Sequence, residues 1–282
     1  MITTRCRQLY DFYLHLGKLH TSARSSAFLS TAKTRIMKKF IALACVVVSC
    51  SATANGPVPT LEKKLSKMSK AKVNEFYTDI RDNLDASRKK LSVELKACTT
   101  DAQKKKVYSD GRALLIKTMS DSMFVCWYGT GWDFNGTSTT PRDGDIACGY
   151  FVTTLILHAG FDLQRVKLAQ CASSSMINTL SPKGDVKIIS NNQVQKVKDH
   201  ILSKPDGIFI LGLDNHTGFV VKKGTSLRFV HSNYTAGVDK VVSEDFDKSS
   251  VIQNNGYFVI GNFTGSDSTM EKWINKTPYL LE

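Results

Sequence analysis

The chain has 282 residues, 42% of them hydrophobic, and a formal net charge of +13 at pH 7. This ordinary composition suits one globular domain of moderate size with additional segments. Residues 1–54 hold eight basic residues and one acid, residues 61–107 hold 13 and seven, and the chain from residue 108 onward holds 17 of each. The neutral C-terminal part argues against nucleic-acid binding. The basic segment before it is interpreted as a solvated helix face, with contact to anionic lipid or cell-wall polymer as the alternative.

A secretory signal is predicted from Met37 to Ala54, because M-K-K-F-I-A-L-A-C-V-V-V-S-C-S-A-T-A has a basic start, an apolar centre and an A-T-A cleavage site. The apolar centre is too short to cross a bilayer. Since this signal is complete from Met37, we interpret residues 1–36 as an upstream extension that is not part of the native protein. An Arg- and Ser-rich organelle transit peptide is the alternative. The mature protein is then exported to the periplasm or cell envelope and begins at Asn55.

The cysteines raise questions of anchoring and of disulfides. V-V-S-C ending at Cys50 loosely matches a lipoprotein cleavage box, so lipidation of Cys50 and membrane anchoring compete with cleavage at A-T-A. Outside the cytosol, Cys98, Cys126, Cys148 and Cys171 could form two disulfides. If Cys148 is a nucleophile, at most one disulfide forms among the other three. No Cys-x-x-Cys or His-x-x-x-His spacing predicts a metal site.

Residues 55–122 are predicted to form an N-terminal helical segment. Apolar residues recur at helical spacing from Thr60 to Ala97, with a break near Ser69. Thr100 and Gln103 match a capping box for a second helix that runs to about residue 120. These patterns predict a helical hairpin in front of a catalytic domain that comprises residues 123–282.

A glycine-rich loop leads into I-A-C-G-Y-F-V-T-T-L-I-L-H-A-G-F, which begins at Ile146. This run predicts a buried helix that starts at Cys148 and stops at Gly160. A thiol at a helix N-terminus lies at the positive end of the macrodipole, which predicts a lowered pKa and a nucleophilic Cys148. A small buried hydrophobe or a disulfide partner is the alternative interpretation. His158 lies about 15 Å further along the helix, in the last turn, where a histidine suits the dipole.

The rest of the chain changes from helices to strands after Pro205. A helix is predicted from about residue 165 to 180, and Ser190 with Gln193 matches a capping box for another. A last helix is predicted with Ser268 and Glu271 as its capping pair. Strands separated by turn signals are predicted at 207–213, 216–221, 226–233 and 257–263, with a further candidate at 185–190. The fold class is therefore α+β, with helices first and then an antiparallel sheet.

Two histidines fall where a base for Cys148 is needed. His216 begins a strand directly after a turn, and His231 lies on the next strand, 15 residues later. Neighbouring strands lie about 5 Å apart. A Cys-His-polar triad needs this arrangement, because the base accepts the thiol proton and the third group fixes the imidazole tautomer. Asn233 points to the same face as His231 and is the alternative third member. Hydrogen-bonded core or edge histidines are the structural alternative.

Three stretches resemble the NlpC-type cell-wall peptidases, a papain-like cysteine peptidase family. The cysteine stretch above resembles their D-C-S-G-F-V…G segment, H-T-G-F-V-V-K-K-G-T-S-L-R-F-V-H is similar to their H-V-G-I-Y…G…H-A, and W-Y-G-T-G-W to their Y-x-W-G-G. The resemblance covers about residues 127–233. It implies a papain-like core, a cysteine-bearing helix packed on an antiparallel sheet, with Cys148 as nucleophile, His216 as base and His231 as third member. Tyr128 would line the cleft and support the oxyanion site.

Together these patterns predict a secreted thiol hydrolase, a cysteine peptidase or amidase, that cleaves amide bonds in the stem peptides of peptidoglycan without cofactor or metal. Trp132, Asp145 and Asn233 are further candidates for substrate contact. Ala147 and Gly149 stand where the family has Asp and Ser, which predicts that the substrate need not present a free N-terminal amine. The alternatives are a non-catalytic cell-envelope binding protein on the same scaffold, and a papain-like acyltransferase or protease toxin.

Overall fold

A computed structural model describes residues 58–281 of the chain. The predicted upstream extension (1–36), the signal peptide (37–54), the lipidation of Cys50 and the mature start at Asn55 lie outside the described residues. Within the described part, no helix combines the length and apolar character needed to cross a membrane. The fold is α+β, as predicted, and its sheet has six antiparallel strands.

The N-terminal helices form the predicted hairpin. Helix α1 spans Val58–Leu65, α2 spans Lys70–Ala97 and α3 spans Asp101–Thr118. Ser69 caps α2 by accepting the backbone N–H of the third helical residue, which explains the predicted break. Thr100 and Gln103 form the predicted capping box of α3.

This hairpin shares a hydrophobic core with the remainder of the described chain. A π-helical turn, Met119–Met123, leads from α3 directly into helix α4, Phe124–Trp127. Leu91 of α2 and Trp273 near the C-terminus belong to one core cluster. Arg88 also donates from Nη1 to a backbone oxygen of the C-terminal helix at 2.9 Å. The helices before residue 123 and the end of the chain are therefore packed together.

Helix α5, Cys148–His158, begins at the predicted cysteine, and most of its side chains are buried. The chain leaves it through Gly160, whose φ of +96° is the left-handed conformation that commonly ends a helix. The single helix predicted next is in fact two, α6 (Arg165–Gln170) and α7 (Ser173–Leu180). Cys171 separates them because its backbone is extended.

The strands are ordered β1-β6-β2-β3-β4-β5 across the sheet. Their bounds are β1 Val186–Ile189, β2 Gly207–Gly212, β3 Thr217–Lys223, β4 Ser226–Asn233, β5 Lys240–Asp245 and β6 Phe258–Gly261. The sequence predicted each of these except β5. The segment 129–132 runs along the outer edge of β5, where Gly129 donates to the backbone oxygen of Val241 and the Val241 N–H to that of Thr130.

The remaining helices are α8 (Val194–Leu202), α9 (Ser250–Gln253) and α10 (Asp267–Asn275). Two predicted caps are wrong. Helix α8 has no side-chain cap, because the two residues after Ser190 adopt positive φ and carry the chain away from capping geometry. Helix α10 starts earlier than expected and is capped by Ser266, which accepts the backbone N–H of Thr269.

Both faces of the sheet are covered by apolar side chains. One face packs in the same core as α5 and α7 through Ile208, Ile210, Phe219, Val230 and Val259. The other face packs with residues of α8 and α9 through Phe209, Leu211, Val220, Phe229 and Ile260. Successive side chains of a strand point to opposite faces of the sheet, so a near-continuous apolar run such as G-I-F-I-L-G contributes side chains to both hydrophobic cores. The candidate site lies where β3 begins, β4 ends and α5 starts.

Candidate active site

Cys148 stands at the start of α5 with free backbone donors around it. Ala147 occupies the N-cap position and has no side chain that accepts a hydrogen bond. Backbone N–H groups in the first helical turn are thus left without a side-chain acceptor, which is the arrangement of anion-binding helix N-termini. Ser232 of β4 donates from Oγ to the backbone oxygen of Ile146 at 2.6 Å and ties this turn to the sheet.

The Cys148 thiol is half-buried, and its surroundings keep it protonated. Burial raises the pKa of Cys148 above its ordinary value and outweighs the lowering by the backbone N–H groups of Thr217, Gly149 and Cys148 itself. The predicted lowering of this pKa is therefore wrong, because the cost of desolvating the thiolate exceeds the stabilisation that the helix start provides. If Cys148 acts as the predicted nucleophile, its resting form is a thiol and it needs a base.

His216 and His231 lie in direct contact. His216 Nε2 is 2.8 Å from His231 Nδ1, and the side chains are 4% and 0% exposed. The Phe229 ring stacks on the His231 ring with 4.1 Å between centroids. Gly218 makes room for the pair, since a Cβ at this position would lie 2.7 Å from the Cβ of His231. Packing therefore fixes the orientation of both rings.

Glu244 on β5 extends the pair to a chain of three groups. His231 Nε2 lies 2.5 Å from Glu244 Oε1. A carboxylate only accepts hydrogen bonds, so His231 carries its proton on Nε2. Burial lowers the pKa of His231, against the opposing effect of Glu244, and the ring is neutral. Its Nδ1 must then accept, and the proton between the histidines belongs to His216 Nε2.

This assignment leaves His216 Nδ1 as the free end of the chain. The atom is buried and, within the described residues, has no hydrogen-bond partner. Burial, and then the neighbouring His231, lowers the pKa of His216 well below its ordinary value. The ring is therefore neutral at pH 7 with an unshared electron pair on Nδ1. A neutral imidazole held in one tautomer is suited to act as a general base.

The Cys148 thiol, at the start of α5, lies beside the beginning of β3, where His216 is found. The Cys148 sulfur is close to the backbone N–H of Thr217, the residue that follows His216. Among the described residues, no hydrogen bond joins the thiol to His216 Nδ1. Hydrogen bonds between catalytic groups are often long before a substrate binds and tighten in the complex. Proton transfer would thus require the sulfur to approach Nδ1 when the substrate is bound.

Asn233, the alternative third member, contacts Glu244 instead of His216. Its Nδ2 donates to Glu244 Oε1 at 3.1 Å, and its Oδ1 accepts the backbone N–H of Thr235 at 2.7 Å. The side chain is 2% exposed. Of the two candidates for the third member, His231 is therefore the one that contacts His216. The amide of Asn233 is occupied inside the protein, so its geometry supports a positioning role more than the predicted substrate contact.

Within the described residues, no hydrogen bond joins Tyr128 or Asp145 to the histidine pair. Tyr128 packs against the core, burial raises its pKa to about 12, and Ser243 of β5 is its hydrogen-bonding neighbour. Within the described part of the chain, no hydrogen bond links Tyr128 to Cys148, so the geometry lends no support to its predicted oxyanion role. Asp145 is exposed and faces Gly131, where a Cβ would lie 2.0 Å from Asp145 Oδ1.

Trp132 lies in an aromatic series that ends at His216. Its ring centroid is 6.1 Å from that of Tyr234, and the Tyr234 centroid is 5.0 Å from that of His216. Trp132 is half-buried, and Tyr234 is 42% exposed. Of the predicted substrate-contact residues, Trp132 is thus the one connected to His216 through an aromatic contact, by way of Tyr234. Tyr234 itself was not predicted from the sequence.

Gly149 is required by helix packing. A Cβ at this position would lie 2.3 Å from the backbone oxygen of Ala169 in α6, closer than real atoms approach. The serine that the resembling family has here would fit only if α6 moved. The missing hydroxyl beside Cys148 therefore follows from the close approach of α5 and α6.

The described cysteines form no disulfide with one another, and His158 is a buried, neutral histidine outside the candidate site. Cys98, Cys126, Cys148 and Cys171 are free thiols. His158 is contacted by the Tyr77 hydroxyl at 3.2 Å, and burial lowers its pKa to about 3, so it is neutral and the predicted benefit from the helix dipole is absent. Within the described residues, no three His, Cys, Asp or Glu side chains are grouped so that they could hold a metal ion.

No protein-family model, characterised protein or solved structure matches this chain. The class of site is therefore defined by its own geometry, which is a thiol at a helix N-terminus beside a buried chain of His216, His231 and Glu244.

Proposed function

We propose that the protein is an exported thiol hydrolase with a papain-like core that cleaves amide bonds through Cys148, His216 and His231. The observation that carries the proposal is the buried chain from Glu244 through both histidines, which ends at the unpartnered Nδ1 of His216. A buried polar atom without a partner costs free energy, so a purely structural histidine would be expected to pair it. The unpartnered Nδ1 of His216 is explained if this atom is a base that accepts the thiol proton during the reaction.

The proposed reaction begins when His216 Nδ1 takes the thiol proton of Cys148 as the sulfur attacks the carbonyl carbon. Backbone N–H groups at the start of α5 stabilise the oxyanion. His216 then protonates the leaving nitrogen, the C–N bond breaks, and an acyl thioester remains on Cys148. A water molecule gives a proton to His216 and attacks the thioester, which releases the acid and restores the thiol.

The proposed substrate is a stem peptide of peptidoglycan. Support comes from the resemblance of residues 127–233 to cell-wall peptidases and from the predicted secretory signal, which would deliver the enzyme to the compartment of this polymer. The chemistry needs no cofactor. The neighbourhood of Cys148 offers Ala147 and Gly149 in place of the family's Asp and Ser, which supports a substrate without a free N-terminal amine.

Digestion of purified sacculi, with mass analysis of the released fragments, tests this function. We expect wild-type protein to release fragments and Cys148→Ala to lose activity by several orders of magnitude, as removal of a nucleophile does. Cys171→Ala, which removes a half-buried thiol elsewhere, is the matched control and should retain activity. Equal activity of Cys148→Ala and wild type would overturn the proposal. Binding of sacculi without released fragments would favour a non-catalytic envelope protein.

A further inference from the structure

An open cavity of about 480 Å³ begins one residue from the proposed base. Asp214 and Asn215, which directly precede His216, line it, as do Tyr234 and Thr235 directly after β4. Its volume lies within the range of small-ligand sites. The reaction described above uses none of these side chains, so the cavity needs a separate explanation.

The lining has the chemistry of a partner rich in hydroxyl groups. Apart from Asp214, the polar side chains that line the cavity are neutral amides and hydroxyls, namely Asn215, Thr235, Ser250, Asn254 and Asn255. The Asn255 amide accepts the backbone N–H of Asp214 and donates to the backbone oxygen of Val251, so the other four side chains carry the argument for a ligand. Amides donate and accept hydrogen bonds at once, and hydroxyls do the same. Ring hydroxyls and acetamido groups of a sugar offer the same mixture of donors and acceptors. A cationic peptide group would be matched better by several carboxylates than by one.

An aromatic wall completes the chemistry that a sugar ring requires. The partly exposed Tyr234 lines the cavity, and its ring centroid lies 5.0 Å from that of His216 and 6.1 Å from that of Trp132. One face of a pyranose presents C–H groups and packs on an aromatic ring, while the hydroxyls at its edge bond to polar neighbours. Tyr234 therefore supplies the apolar face, and the adjacent amides supply the edge.

We infer that this cavity binds a sugar ring of the glycan strand that carries the scissile stem peptide. The inference rests on the proposed function and specifies its substrate as peptide attached to glycan. Tyr234 lines the cavity and its ring centroid is 5.0 Å from that of His216, so a sugar bound there would hold the attached peptide near the proposed base. The neutral Ala147 beside Cys148 agrees with a peptide whose N-terminus is already linked to sugar.

Binding of chitotetraose, a soluble N-acetylglucosamine oligomer, to the Cys148→Ala protein tests the inference without any hydrolysis. We expect saturable binding in titration calorimetry. Tyr234→Ala should weaken it about tenfold, since an aromatic contact is worth about that factor, and Tyr234→Phe should restore most of it by keeping the ring. Asn275→Ala, which alters an exposed asparagine at the end of α10, is the matched control and should bind as the parent does.

Absence of binding at millimolar oligomer, or binding that Tyr234→Ala leaves unchanged, would overturn the inference. Displacement of the oligomer by a free stem tetrapeptide from the same residues would also overturn it, because the cavity would then be a peptide site. The proposed function fails separately: sugar binding without cleavage of sacculi would refute the hydrolase, and cleavage without sugar binding would refute only the sugar site.

Discussion

Cys148 and His216 are both uncharged in their resting state, and burial is the reason in each case. Desolvation raises the pKa of the Cys148 thiol and lowers the pKa of the His216 imidazole, so the charged forms of both groups are disfavoured. A preformed thiolate–imidazolium pair would need the opposite shifts. In the proposed reaction the proton is therefore transferred during the attack on the substrate, and His216 is already in the tautomer that this step needs.

The raised pKa of Cys148 and the lowered pKa of His216 predict how alkylation of the Cys148 thiol depends on pH. The thiolate is the reactive form, so below the raised pKa of Cys148 its alkylation by iodoacetamide should accelerate about tenfold per pH unit. We expect the rate to keep rising beyond pH 9.0, the ordinary pKa of a thiol. Mass spectrometry of the Cys148 peptide measures the rate, with the Cys171 peptide as internal comparison. A plateau in mildly acidic solution would contradict the neutral pair.

Glu244 is expected to act on the reaction through His231. Replacement by alanine leaves His231 Nε2 without its acceptor, so the His231 proton can move to Nδ1 and force His216 to carry its own on Nδ1. The base is then blocked, and kcat should fall about 10- to 100-fold with little change in KM, as for other supporting residues. Glu244→Gln keeps an accepting oxygen and should retain most activity.

Nitrogen NMR of the two imidazoles provides the readout that separates positioning from folding. Wild type and Glu244→Gln should show His216 protonated on Nε2, and Glu244→Ala should show it protonated on Nδ1. An equal loss of kcat in both variants with unchanged tautomers would indicate that Glu244 acts through its charge and not by fixing the tautomer of His231.

At the scale of elements, the helix and strands of the candidate site that could be predicted are those determined by short stretches of sequence. Helix α5 was predicted because an apolar run ends at a glycine that adopts positive φ, and β2, β3 and β4 because apolar runs are separated by turn residues. The contact of His216 with His231 follows from the hairpin between β3 and β4. These features depend only on short stretches of chain.

Strand β5, and Glu244 with it, could not be predicted in the same way. The sequence K-V-V-S-E-D has only one fully buried residue, Val241, because β5 is the edge strand of the sheet and has only the segment 129–132 on its outer side. Its strand character comes from pairing with β4, which is a tertiary interaction. The raised pKa of Cys148 was missed for the same reason, since it depends on the packing of β3 against α5.

The close approach of α5 and α6 makes Gly149 a test of element packing. Gly149→Ser would push its Cβ against the backbone oxygen of Ala169, and we expect a loss of about 1–3 kcal/mol of unfolding free energy from overpacking. Gly184→Ser is the matched control, since nothing lies within 4 Å of its added Cβ. Urea denaturation of both variants measures the difference. Equal stability would show that α6 moves aside at no cost.

At the scale of the whole molecule, the predicted boundary near residue 122 does not separate two cores. The π-helical turn carries α3 straight into α4, and side chains from both sides of the boundary lie in one cluster. Arg112 of α3 also donates to the backbone oxygen of Thr264 at 2.8 Å and pairs with Asp267 at the start of α10. The N-terminal hairpin is thus part of the support for the half of the chain that holds the candidate site.

A chain that begins at residue 123 is therefore expected to fold poorly. Loss of α1 to α3 would uncover Trp273 and other core residues that α2 and α3 now cover. We expect no cooperative urea transition and a weak near-ultraviolet circular dichroism signal. A chain that begins at Asn55 is the control and should unfold in one transition. Cooperative unfolding of the shorter chain at a similar midpoint would show that residues 123–282 are an independent domain.

The segment 129–132 protects the protein from aggregation and limits which substitutions it can accept. Its backbone hydrogen bonds occupy the outer edge of β5, and Trp132 in the same segment neighbours the candidate cleft. If the segment detached, an unpaired strand edge would be open to β-pairing with another molecule, which is a known route to aggregation. Substitutions in the segment 129–132 that change which ligand the cleft prefers must therefore preserve its backbone pairing with β5. The ligand preference of the cleft and the resistance of the protein to aggregation thus depend on the same four residues.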